Sequence, residues 1–286
     1  MKKKNGFISI TMIYSFFIVF LTLILSIVNG YVNNRNLLNN LKNTIVTDIA
    51  DTNFTSYLIN HADEIGLLKY DGVYRYIGNN PNNYVCLIDA CEEKDMYRII
   101  GIENGKIKII KNETSEKEID TTDTNVYINT SIYNYLNNEY LNSLSDEEKK
   151  LITLFNWYTG GVDIKYLTDK PLDFYQYEIG ANKNIGVSIK AYIGLPFVSD
   201  YIFASRNYEK EYTKEDNWLY LNDMWFITRV SNYYNYQYYL NDDGNVNLGL
   251  VSEIKKVRPV MYLKGNVINK DTKADGSLDA PFIIGG

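Results

Sequence analysis

MYRIIGIENGKIKII, residues 96–110, reads as two strands and the turn that joins them. Met96 to Ile102 and Lys106 to Ile110 are rich in β-branched residues, with Glu103-Asn104-Gly105 between them. Asn-Gly tolerates the positive φ angles of a type I′ turn, whose twist matches that of paired strands, so a tight antiparallel hairpin is expected here. Upstream, Asp71-Gly-Val-Tyr-Arg-Tyr-Ile-Gly78 looks like a strand entered from another tight turn. Downstream, Trp225 to Val230 and Tyr236 to Leu240 are strand-like, and Asp243-Gly244 can turn the chain back through Asn245 to Leu250. Val257-Arg-Pro-Val-Met-Tyr-Leu263 is a further strand, in which Pro259 suits an edge or a first position. The middle third has helical spacing instead. Ser131 to Leu144 carries Ile132, Tyr135, Leu136 and Tyr140, and Ser145-Asp-Glu-Glu148 reads as a capping box before Leu151, Ile152, Leu154 and Phe155. There is no internal repeat and no long linker, only the polar stretch Asn112 to Asn125. Residues 53–286 are therefore expected to form one α+β domain, β-rich at both ends with a central helical region.

The composition permits a sizeable core, since 45% of the 286 residues are hydrophobic, and 27 of the residues are tyrosine. Tyr joins a flat apolar ring to a polar tip, so it suits half-buried strands and contact surfaces alike. The net charge is −6; without Lys2, Lys3 and Lys4 the remainder has 26 basic and 35 acidic residues, a net of −9. A body that acidic repels phosphate backbones, which argues against nucleic acid as a partner.

No charge occurs between Lys4 and Arg35, and Phe7 to Val28 (FISITMIYSFFIVFLTLILSIV) is almost wholly apolar. As a helix this run would span about 33 Å, close to the hydrocarbon core of a bilayer. A cleaved secretory signal is the competing reading, but its apolar region is shorter and ends at a small-residue site, which Ser-Ile-Val-Asn-Gly30 does not supply. Lys2, Lys3, Lys4 and the terminal amine outweigh Arg35 and Lys42 across the run, so the N-terminus is expected in the cytoplasm and the body outside. Leu38, Leu41, Ile45 and Ile49 form an apolar stripe at helical spacing. The expected plan is a basic cytoplasmic leader (1–6), a transmembrane helix (7–30) set in the lipid bilayer, a helical stem (31–52) and an extracellular α+β domain (53–286).

Lys2-Lys-Lys-Asn-Gly-Phe7 followed by a long apolar helix resembles the leader of type IV pilins and pseudopilins. The resemblance implies cleavage after Gly6 by a prepilin peptidase, methylation of the new terminus at Phe7, and pilin-like subunits as partners. Thr11 stands where the family usually carries a glutamate that pairs with a neighbouring N-terminus during assembly. An uncleaved anchor unrelated to pili is the alternative.

Cys86 and Cys91 lie close together in Tyr84-Val-Cys-Leu-Ile-Asp-Ala-Cys91, and outside the cytoplasm such a pair most often forms a disulfide that closes a small loop; free thiols are the alternative. Metal binding would need further ligands, and neither a second Cys pair nor a His cluster exists, so no metal and no cofactor is expected. The single histidine, His61 in Asn60-His-Ala-Asp-Glu64, reads as a surface or helix-end residue. Gly-x-Ser-x-Gly elbows and phosphate-cradling Gly-rich loops are missing. Paired carboxylates need no fixed spacing, and Asp163, Asp169, Asp173 and Glu178 are the crowded candidates beside a reading as solvated loop charges. Asp271, Asp275 and Asp279 bracket a glycine, but they lack the alternation and final glutamate of a calcium loop, and a hairpin turn fits better. In Asn232 to Leu240 (NYYNYQYYL) a strand would put Tyr234, Tyr236 and Tyr238 on one face, with Tyr233, Asn235, Gln237 and Tyr239 on the other. With Trp225 these rings are the candidate ligand contacts, suited to sugars or to a protein surface, next to a reading as sheet packing.

Residues 71–78, 96–113, 193–205 and 256–267, with Gly276-Ser277 and Asp279-Ala-Pro-Phe282, together resemble a module of anchored Firmicutes surface proteins. The arrangement of Trp225 and Val257-Arg-Pro-Val260 is distantly similar to C-type-lectin-like and formylglycine-generating-enzyme-like folds, which host binders and enzymes alike. The expected function is a membrane-anchored extracellular binding or structural module, pilin-like, that displays an aromatic-rich face to a glycan or a surface protein. The alternative is an extracellular glycan-acting enzyme that uses paired carboxylates.

Overall fold

The computed structural model describes residues 53–167, 170–183 and 187–286. They belong to one compact unit, a β-rich α+β domain. The expected architecture, led by a long transmembrane and stem helix, is corrected by what the described residues contain. No helix among them is long and apolar enough to cross a membrane. Their longest helical path covers residues 131–143, and it is polar as well as short. The leader with Gly6 and Phe7, the apolar run 7–30 and the stem 31–52 lie outside the described residues.

The hairpin at 96–110 forms as its sequence demands. Tyr97–Glu103 pairs antiparallel with Lys106–Lys111, Glu103 opposite Lys106, and Asn104 and Gly105 take φ of 50° and 69°. A second hairpin lies beside it, Leu67–Tyr70 with Val73–Tyr76, turned by Asp71 and Gly72 at φ of 49° and 76°. Both central residues of each turn are left-handed, which is the type I′ requirement. Around them builds a ten-stranded sheet. Val260–Leu263 adds to one side of the first hairpin. Tyr84–Leu87 adds to the other, followed in parallel by Phe282–Gly285, so strands far apart in sequence lie side by side.

A five-stranded sheet holds Ser115–Lys117, Lys255–Val257, Met224–Arg229, Tyr236–Leu240 and Val246–Leu250. Two stretches of chain cross together from one sheet to the other. Val257 pairs with Ser115 in the smaller sheet, and three residues later Val260 pairs with Ile110 in the larger. Pro259 occupies the crossing, where no ladder needs its missing N–H, and its carbonyl accepts from Lys111 N at 2.9 Å. Buried Arg258 donates to the Lys111 carbonyl at 2.7 Å and locks the crossing.

The central helical region is shorter and less regular than its spacing suggests. Ser131–Asn134 and Leu141–Ser143 flank a π-helical turn, Tyr135–Tyr140. Asn137 in that turn donates to the Ile193 carbonyl at 3.0 Å and accepts from Ile193 N at 3.1 Å. Its side chain thereby acts as a strand would against the edge strand Ile193–Gly194, which satisfies an otherwise open sheet edge. The capping box of Ser145 and Glu148 forms, but its helix stops at Leu151. Ile152–Thr153 then pairs with the large sheet, and Phe155–Tyr158 pairs with Ser188–Ala191. Short apolar runs satisfy either period, and here sheet partners decide.

Candidate ligand cleft

Antiparallel pairing puts Tyr74 opposite Ile102 and Arg75 opposite Gly101, so the two hairpin tips stand side by side. Across from them runs Phe155–Tyr158 with its partner strand, in which Lys190 faces Asn156. Between lies a cleft of about 660 Å³ lined by Asp71, Glu103, Asn104, Asn156, Tyr158 and Lys183, among others. Its volume lies in the usual range for small-ligand sites.

Each carboxylate of the cleft is held by a phenol from deeper in the domain. Tyr262 donates to Glu103 Oε2 at 2.7 Å, and Tyr175 donates to Asp71 Oδ2 at 2.5 Å. Burial pushes both phenols above their ordinary value, so they stay protonated donors. Lys183 lies 4.4 Å over the Tyr158 ring and donates to its hydroxyl at 3.4 Å. Lys106 lies 5.7 Å over Phe155, whose ring also stacks on that of Tyr262 at 3.5 Å. The cleft thus joins two fixed acceptors, two amides and three lysines to a half-buried Tyr and the exposed Leu154. Carboxylates and amides at fixed positions serve hydroxyl groups, and an aromatic ring face serves the apolar face of a sugar.

The residues singled out by sequence lie elsewhere. Tyr238 is buried, with its phenol donating to the Val162 carbonyl at 3.1 Å. Trp225 is equally buried and donates to the Lys117 carbonyl at 3.1 Å. Both are core side chains rather than ligand contacts, because the strands that carry them are covered on the faces they occupy. Tyr234 is 64% exposed and Tyr236 half-buried, and they do not share a strand face, since the strand begins at Tyr236 after a turn. That turn is braced by Asn125, whose amide donates to the carbonyls of Val230, Tyr233 and Tyr236 at 3.0, 2.8 and 2.7 Å.

The crowded carboxylates do not gather into a pair. Asp163 accepts from Asn232 at 2.6 Å and Lys165 N at 3.0 Å, and Asp173 is exposed. Glu178 is buried beneath the helix Val198–Phe203, and Asp169 lies outside the described residues. Asp271 and Asp275 accept from Lys273 N and Ser277 N, each at 2.9 Å, which makes them turn formers. His61 ends a helix, its Nδ1 2.9 Å from the Tyr57 carbonyl. Cys86 and Cys91 form a disulfide. Among the described residues, no group of three His, Cys, Asp or Glu side chains could hold a metal ion.

No family model, curated protein or solved structure matches the chain. The cleft is therefore read from its own geometry. The sequence shows the Asn104-Gly105 hairpin and a tight turn at Asp71-Gly72 without marking either as a site; the signal it carries is two Gly-containing turns with acidic residues at or beside them.

Proposed function

We propose that residues 53–286 form an extracytoplasmic binding module that takes a hydroxyl-rich ligand, a glycan, in the cleft between the hairpin tips. The observation that carries this reading is the pair of carboxylates, Asp71 and Glu103, each anchored by a buried phenol at the mouth of a polar, part-aromatic cavity. Acceptors fixed in advance cost little to order when a ligand arrives. The disulfide supports a location outside the reducing cytoplasm. The exposed Tyr233 and Tyr234, on a turn braced by Asn125, offer a second contact surface for a protein partner.

A glycan array probed with the purified chain tests the reading. Binding is expected, and Asn156→Ala and Tyr158→Ala should each weaken it by roughly tenfold, the effect of one lost contact of about 1.4 kcal/mol. An array without bound glycans, or binding that neither variant changes, would overturn the proposal.

A further inference from the structure

Lys108 and Asp200 face each other deep inside the domain. Lys108 belongs to the interior strand Lys106–Lys111, flanked on both sides by other strands, and Asp200 to the first turn of Val198–Phe203. Lys108 Nζ stands 2.8 Å from Asp200 Oδ1 and 2.6 Å from Oδ2, and each side chain is 4% exposed. The rings of Phe197, Tyr262 and Trp157 surround the amine at 4.6, 5.6 and 5.9 Å. Burying two charges is costly, and their attraction only partly offsets it. A neutral product would escape that cost.

We infer that Lys108 and Asp200 condense into an intramolecular amide, which joins the large sheet covalently to the helix Val198–Phe203. The step needs no other reactant. The ammonium passes one proton to the carboxylate, leaving a neutral amine and a carboxylic acid. Nζ attacks Cγ and the new C–N bond forms. The C–Oδ1 bond breaks, and the departing hydroxyl takes a second proton from nitrogen and leaves as water.

Three features of the site favour this course. The reacting groups are already in contact, and held pairs react as though at concentrations of about 10⁵ M or more. The Phe197 N–H donates to Asp200 Oδ2 at 2.8 Å, where negative charge gathers as Nζ attacks. The surrounding rings keep out the water that would reverse the reaction. The turn that carries Asp200 is itself fixed, because buried Glu178 accepts from Val198 N and Ser199 N at 2.9 and 2.8 Å.

Peptide mapping by mass spectrometry of the purified full chain, digested after disulfide reduction, tests the bond directly. The expected result is a linked pair of peptides, one containing Lys108 and the other Asp200, lighter by one water than their sum. In Lys108→Arg, which keeps the cation but cannot make this amide, the two peptides should separate. Recovery of both peptides unlinked from the unaltered folded chain overturns the inference, whatever the variant does. A linked species that persists in Lys108→Arg overturns the assignment to Lys108.

Discussion

Tyr262 donates its phenol hydrogen bond to Glu103 at 2.7 Å while its ring lies flat against Phe155, so one side chain supports both walls of the cleft. Tyr262→Phe keeps the stack and removes only the bond. A bond to a charged, part-buried acceptor contributes about 1–2 kcal/mol. Urea unfolding of the variant should show a lower midpoint with an unchanged slope. Any glycan affinity should fall with it, because Glu103 is then free to turn toward water.

Gly101 marks the bulge where the hairpins join. A Cβ at this position would stand 1.9 Å from the Tyr74 carbonyl oxygen, a backbone atom that cannot turn aside. Gly101→Ala must push Val73–Tyr76 off its neighbour and is expected to cost about 3 kcal/mol. Calorimetry should record the loss in melting temperature. A melting temperature equal to that of the parent would show that the two hairpins are not packed in this way.

Asp120 supplies the pH dependence. Its buried carboxylate accepts from Thr122 N at 2.7 Å, Ser131 N at 2.9 Å and the Thr122 and Ser131 hydroxyls. Burial opposes the charge, but these donors outweigh it and hold the carboxyl below its ordinary 3.8. The native state therefore binds this proton less readily than the unfolded chain, so the contribution is present above pH 3.8 and is lost as pH falls through the lower native value. Asp120→Asn, which turns an NH₂ toward some of the same donors, should be less stable by about 2 kcal/mol at neutral pH. The gap should close in acid, and chemical denaturation at several pH values would measure it.

The Cys86–Cys91 disulfide anchors a loop to a buried strand that pairs in parallel with Phe282–Gly285. Closing so short a loop stabilises by about 2 kcal/mol through the unfolded chain. A Cys86→Ala, Cys91→Ala double variant should lose roughly that amount. Reductant should destabilise the parent and leave the variant unmoved.

Much of the β structure is legible in local sequence. Asn104-Gly105 and Asp71-Gly72 dictate their own turns, because few residues take left-handed angles at both central positions. Ser145 and Glu148 satisfy helix-end donors by themselves, and Cys86 and Cys91 are near enough to meet without help. These are interactions between neighbours, and chain order determines them. Where the chain goes next is not local. Leu151 to Tyr158 carries apolar residues that suit either period, and its strands exist because Tyr262, Leu263 and Ser188–Ala191 offer ladder partners. Tyr238 and Trp225 could not be told from surface aromatics by spacing alone, since burial depends on what covers a face. The cleft and the Lys108–Asp200 contact unite residues far apart in sequence. Their chemistry was written in the chain, but only folding brought the groups within bonding distance.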